Sequence, residues 1–124
     1  MEQKLFKQNF VDELKNKLFE AEVNLAALKE ILPVMQATRE SLQRKVYMSN
    51  QFIEKMQKDP TKEAREKRQR EELQLKIWQE KMKKQNEEID KTIQRNEDLE
   101  ITINNLSIFI KTAEKLKWPK KNQP

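Results

Sequence analysis

The sequence predicts an all-α protein: a long antiparallel helical hairpin whose two helices form a coiled coil. Three observations favour this fold. The chain has no glycine and only four prolines, 38% of its residues are charged, and 35% are apolar. Glycine marks turns and weakens helices, so its absence favours helix over turn or sheet along nearly the whole chain. The balance of charged and apolar residues is typical of long solvated helices that meet along a narrow apolar seam.

The first predicted helix runs from about residue 3 to residue 57. Its apolar residues recur in alternating steps of three and four, the period of a coiled-coil seam. This seam keeps its spacing across Pro33, so we expect a kink there; a break at Leu32–Pro33, giving three helices, is the alternative. The seam positions are Val11, Leu14, Leu18, Ala21, Leu25, Leu28, Leu32, Met35, Arg39, Leu42, Val46, Ser49, Ile53 and Met56.

The stretch MQKDPTKEAREK, residues 56 to 67, contains the predicted turn at about residues 58–60. If one helix continued past Met56, its next seam position would be Pro60, followed by an almost entirely polar series. Asp59 is a suitable N-cap, and Pro60 suits the first position of a helix, where its missing N–H costs nothing. The chain is therefore predicted to turn back here. A kinked, extended rod is the alternative.

The second predicted helix runs from about residue 60 to residue 117, with a seam offset by one residue from the first. Folded back on the first helix, this seam places Leu75 opposite Val46. The hairpin then forms a single domain over residues 1–118, followed by a flexible basic tail at residues 119–124. The second seam consists of Leu75, Trp78, Met82, Gln85, Ile89, Thr92, Asn96, Leu99, Ile103, Leu106, Ile110 and Ala113.

Four polar residues occupy seam positions where aliphatic side chains would be more stable: Arg39, Gln85, Thr92 and Asn96. Residues of this kind usually set the register and orientation of the helices at a cost in stability. We interpret them as register-setting residues. A ligand site is the alternative, but no catalytic groups converge with them in the sequence.

Apolar residues beyond the seam concentrate where the two termini are predicted to meet. A two-stranded seam cannot cover them all, and exposed apolar patches mark interfaces. We expect a homo-oligomer, or a protein partner with amphipathic helices that completes a bundle. Two alternatives are an N-terminal segment that buries its own aromatics and a membrane-surface helix at residues 4–19. The predicted interface residues are Phe6, Phe10, Phe19, Ile101, Ile108, Phe109 and Trp118.

Missing residue types exclude much chemistry. Without Cys and His, the chain has no thiolate nucleophile, no Cys-ligated metal site and no histidine base. Without Gly, it has no phosphate-binding loop of the P-loop type. The sequence therefore predicts no enzyme, cofactor or metal site. No apolar run approaches the roughly 20 residues of a membrane-spanning helix, so we expect an intracellular protein, cytoplasmic or nuclear.

The net charge of +5 arises from two basic regions, residues 58–84 and the C-terminal end around Trp118. Acidic residues interleave with the first region, as on solvated helices. The predicted function is a structural or adaptor subunit that mediates protein–protein assembly. Alternatives are a holding or export chaperone that uses the terminal apolar residues, and nucleic-acid binding through the basic segments. In arm length and charge alone, the hairpin resembles coiled-coil proteins of flagellar and type III export and prefoldin tentacles.

Overall fold

Two long helices pack against each other as a hairpin in the computed structural model, which describes residues 2–116. Helix α1 spans Glu2–Gln57 and helix α2 spans Lys62–Lys115, and the described residues contain no strand. This confirms the predicted all-α hairpin. The predicted end of the second helix at residue 117, Trp118 and the tail at residues 119–124 lie outside the described residues.

The chain groups into two compact units. The terminal unit combines Met1–Glu30 with Gln94–Pro124, and the turn unit comprises Ile31–Ile93. Each contains a segment of both helices and its own core of small and branched apolar side chains. The buried apolar residues are Val11, Ala21, Ile110 and Ala113 in the terminal unit, and Leu42, Ile53, Ala64 and Ile89 in the turn unit.

The buried residues follow a heptad, with Val11 at a and Leu14 at d in α1, and Leu75 at a and Trp78 at d in α2. Every a and d position of α1 from Val11 to Met56 is buried or half-buried. The same holds in α2 from Ala64 to Ala113. Burial therefore follows the alternating steps of three and four that define a two-stranded seam.

Pro33 lies inside α1 and does not end it, so the structure shows no break at Leu32–Pro33. The proline ring removes one backbone N–H from the helical ladder, at a cost of about 3 kcal/mol in a helix interior. Half-burial of Leu32 and Met35 on either side offsets part of that cost. The expected kink stays a prediction.

Helix α1 ends without a left-handed cap. The Lys58 amide donates to the Lys55 carbonyl at 3.3 Å, and the Asp59 amide donates to the Met56 carbonyl at 3.2 Å. These bonds span three residues, as in a 3₁₀ turn, and satisfy carbonyls that the end of an α-helix leaves open. No residue that the structure describes has a positive φ. The last turn of α1 therefore ends through these three-residue bonds and does not use a glycine in the left-handed conformation.

Helix α2 begins at Lys62, two residues after the predicted start, and its N-cap is Thr61. The hydroxyl oxygen of Thr61 accepts a hydrogen bond of 3.2 Å from the amide of Ala64, the third helical residue, which is the geometry of an N-cap. The prediction that Asp59 is the N-cap was wrong. Its Oδ1 instead accepts a bond of 3.0 Å from the Thr61 amide, forming an Asx turn around Pro60.

Candidate protein-interaction site

Two flanks run beside the seam in each unit. We call the side formed by the b and e heptad positions the e flank, and the side formed by the c and g positions the g flank. On the e flank of the terminal unit, Lys15 pairs with Glu114 at 3.2 Å and Lys29 pairs with Glu100 at 3.4 Å. All four residues occupy e positions, and all four side chains are about half exposed. Such exposed pairs add little stability, but they show that the e positions of the two helices face the same side.

The g flank of the terminal unit contains a shallow groove of about 440 Å³ between the helices. Asn24 of α1 and Arg95 and Thr102 of α2, all at g positions, line it. The g positions of the two helices therefore also share one side. A residue that is separated from one of these three by a multiple of seven positions in the same helix lies on the same flank.

The predicted interface residues that the structure describes are all exposed and all belong to the terminal unit. Trp118 lies outside the described residues. Among the aromatics, the exposed fraction is 63% for Phe6, 41% for Phe10 and 58% for Phe109. Their role as a partner interface stays a prediction.

Heptad position separates these residues into three faces. Phe10 and Phe109 occupy g positions, and Phe6 occupies the c position one turn before Phe10. We call these three residues the aromatic flank, because they share the g flank of the terminal unit. The remaining predicted residues lie elsewhere: Ile101 and Ile108 at f positions on the back of α2, and Phe19 at a b position on the e flank of α1.

Leu116 lies on the same side as the aromatic flank, although it is not among the predicted interface residues. It lies one heptad after Phe109, at a g position, and is exposed. The Lys7 ammonium donates to the carbonyls of Glu114 and Leu116 at 3.0 and 3.3 Å. A lysine near the C-terminus of a helix can donate hydrogen bonds to the last backbone carbonyls. Lys7 of α1 therefore links the two helices at the end of α2. The sequence feature that could have identified Leu116 is its position seven residues after Phe109.

The four polar seam residues differ in how their polar atoms are satisfied. Gln85 donates from Nε2 to the Met35 carbonyl at 3.0 Å, which links the two helices. Thr92 donates to the carbonyl of Glu88, in its own helix, at 2.8 Å. The Nε atom of Arg39 and the Oδ1 atom of Asn96 are buried without a hydrogen-bond partner among the described residues. Their part in setting the register stays a prediction.

The seam of α2 extends back from Leu75 through Glu71 and Arg68 to Ala64. Ser49, which is only 3% exposed, donates a hydrogen bond of 2.6 Å to Oε1 of Glu71 across the seam. This bond lets a half-buried carboxylate occupy a d position. The Ser49–Glu71 bond was not predicted, although steps of four, three and four back from Leu75 lead to Glu71, Arg68 and Ala64.

A second groove, of about 530 Å³, lies on the g flank of the turn unit. Its apolar lining comes from Met48 and Phe52 of α1 and Trp78 of α2. The ammonium groups of Lys45 and Lys81 lie 4.4 and 5.1 Å from the centroid of the Trp78 ring. Both distances are within the range of a cation–π interaction. Both lysines occupy g positions, so positive charge lies over the Trp78 ring. The polar lining of the groove comes from Ser41, Arg44, Lys45, Ser49 and Glu71.

No protein-family model, curated protein or solved structure matches this chain. Within residues 2–116, no group of three or more Asp, Glu, His or Cys side chains is arranged to hold a metal ion. Neither of the two described helices contains a stretch that is both long and apolar enough to cross a bilayer.

Proposed function

We propose that the protein is a non-enzymatic assembly subunit that binds an amphipathic helix through the aromatic flank of its terminal unit. The observation that carries this proposal is the exposure of Phe6, Phe10 and Phe109 on one flank. A partner that buried these rings would gain about 25 cal/mol of binding free energy for each Å² of apolar surface removed from water. Exposed apolar surface of this kind is typical of protein interfaces.

The aromatic flank has the position of a third helix in a bundle. The a and d residues of the terminal unit already pack against each other, as Val11 and Ile110 show by their burial. Helices that contact two neighbours in a bundle carry apolar residues at a, d and an adjacent e or g position. Phe10 and Phe109 extend the apolar surface to g on both helices. The partner is an amphipathic helix of a second copy or of another protein.

The double variant Phe10→Ser with Phe109→Ser tests this function. Loss of a buried aromatic hot spot costs about 2 kcal/mol or more, which corresponds to a dissociation constant raised about 30-fold. Helicity by circular dichroism should stay unchanged, because both residues lie outside the seam. Sedimentation equilibrium measures self-association. Affinity purification from the source cells with mass spectrometry measures loss of a heterologous partner.

The matched control replaces two exposed apolar residues of the same unit on other faces, Phe19→Ser with Ile101→Ser, and should keep the partner. Suppose instead that the Phe10/Phe109 variant keeps its mass and its captured proteins but melts at a sharply lower temperature. The rings would then belong to the core of the monomer, and the proposal would be overturned. Protection of many unrelated unfolded proteins without fixed stoichiometry would overturn it in favour of a holding chaperone.

A further inference from the structure

The g flank of the turn unit is strongly basic. Its c and g positions carry seven cations and two carboxylates, whereas the e flank of the same unit carries four of each. The charge is therefore concentrated on one side of the helix pair. The g-flank cations are Lys45, Lys55, Lys67, Arg70, Lys81, Lys84 and Lys91, and the carboxylates are Glu63 and Glu88. The e-flank charges are Lys62, Arg65, Lys76 and Lys83 with Glu40, Glu54, Glu72 and Asp90.

Both carboxylates of this g flank are already paired. Glu63 lies 3.4 Å from the Lys67 ammonium, and Glu88 lies 3.8 Å from the Lys91 ammonium. The other five cations form no ion pair with any residue in the described part of the chain, and all five are exposed. The flank therefore presents unneutralised positive charge: Lys45, Lys55, Arg70, Lys81 and Lys84.

Apolar side chains lie among these cations. Met48 is 66% exposed and Phe52 is 37% exposed, one turn apart beside the groove over Trp78. A two-stranded coiled coil needs apolar residues only at a and d. The wider apolar stripe of α1 here is typical of a helix that contacts two other helices. The other exposed apolar residues on this flank are Ile31, Val34 and Ile77.

We propose that the g flank of the turn unit binds an acidic amphipathic helix of a partner protein. The apolar face of that helix packs on Met48, Phe52 and Trp78, and its Asp and Glu side chains face the unpaired cations. Charge complementarity selects this occupant, because opposite potentials favour encounter and register. A second copy bound through the same flank would bring like charges together. A nucleic-acid backbone would satisfy the cations and leave the apolar side chains uncovered.

This inference goes beyond the function proposed above, since it concerns another surface and stands on its own observations. The probe is a synthetic helical peptide of about three heptads, with Leu at a and d and Glu at the flanking positions. A comparison peptide carries Lys in place of each Glu. Binding is followed by the fluorescence of Trp78 in a Trp118→Phe background. We expect saturable one-to-one binding of the acidic peptide, weakened by salt, and none of the basic peptide.

Paired variants localise the site. Arg70→Glu with Lys84→Glu changes two g-flank cations and should weaken peptide binding at least tenfold. Lys76→Glu with Lys83→Glu makes the same change in net charge at b positions of the same helix and should leave binding intact. Met48→Ser should also weaken binding, whereas Tyr47→Ser, equally exposed on the e flank, should not. Circular dichroism confirms that every variant remains helical.

Three outcomes would overturn the proposal. Equal binding of both peptides, or equal loss in both charge variants, would indicate non-specific attraction. Tight binding of duplex DNA that excludes the peptide and is lost in the Arg70/Lys84 variant would assign the flank to nucleic acid. A mass that rises with concentration and falls back in that variant would assign it to a second copy. The Phe10/Phe109 variant should bind the peptide as wild type does, so this test and that of the proposed function fail separately.

Discussion

Gln85 donates a hydrogen bond from Nε2 to the backbone carbonyl of Met35, 3.0 Å away on the facing helix. A half-buried amide in an apolar seam needs a partner, because an unsatisfied one costs about 1–3 kcal/mol. A slip of one heptad would move the Met35 carbonyl by about 10 Å along its helix. The bond therefore favours one register of the turn unit.

We expect Gln85→Leu to leave the free energy of unfolding unchanged or to raise it by about 1 kcal/mol, because an aliphatic side chain suits a d position. The register should become less defined. Spin labels at Gln43 and Asn86, exposed e positions of the turn unit, should give a single short distance in wild type and a second population in the variant. A single unchanged distance would contradict a register-setting role for Gln85.

Ser49→Ala should lower the free energy of unfolding by about 1–3 kcal/mol, because the half-buried Glu71 carboxylate loses its hydroxyl donor. Adding Glu71→Leu should recover most of that loss, since the seam then contains no unsatisfied carboxylate at this layer. Urea unfolding of wild type, the single variant and the double variant measures both effects. If the double variant were less stable than Ser49→Ala alone, the carboxylate would have a stabilising partner other than Ser49.

Thr61→Ala should destabilise the start of α2 by about 1 kcal/mol, because the Ala64 amide loses its acceptor. Thr61→Ser should preserve the cap. Hydrogen exchange at the Ala64 amide measures the effect locally. Thr38→Ala is the matched control: its hydroxyl donates to the Val34 carbonyl within a continuous helix, where no cap is lost. Equal effects of the two alanine variants would contradict Thr61 as the N-cap.

The turn should depend on pH through Asp59. The hydrogen bond from the Thr61 amide, followed by that with the Thr61 side chain, holds the pKa of Asp59 below its ordinary value of 3.8. A lowered pKa means that the ionised form stabilises the turn above the ordinary value and that this contribution is lost as the pH falls through the lowered one. The Thr61 amide resonance, followed by NMR from about pH 6 to pH 2, should titrate with a midpoint below 3.8.

Asp59→Asn is the control for this titration, because an amide oxygen accepts the same bond without ionising. The Thr61 resonance should then become nearly independent of pH across that range. A wild-type midpoint at or above the ordinary value of 3.8 would contradict the lowered pKa of Asp59.

The hairpin was predictable because periodicity alone identifies the residues that share one side of a helix. The cap of α2 was not, since Asp59 and Thr61 are both good N-caps and only the backbone path around Pro60 selects between them. Glu71 was missed for a related reason. A carboxylate enters the seam only when a donor such as Ser49 faces it, and that proximity follows from the register.

The candidate site was predictable in content but not in arrangement. The predicted interface residues were grouped by their closeness to the end of the hairpin where the two termini meet, without regard to helix face. Heptad positions instead place Phe10 and Phe109 on one flank and Ile108 on the back of α2. The basic g flank of the turn unit was not predicted for a similar reason. Acidic and basic residues alternate along the sequence of α2, and their separation onto different faces becomes visible only when each residue is assigned a heptad position.

The turn at residues 58–61 has a consequence for how the helices find each other. A short connection holds two binding segments at an effective concentration in the millimolar range or above. Pairing is then intramolecular and insensitive to dilution, so the seam tolerates polar layers such as Ser49 with Glu71. If the chain were cut between Asp59 and Pro60, the same seam would have to assemble from two separate peptides, and the pair would come apart on dilution.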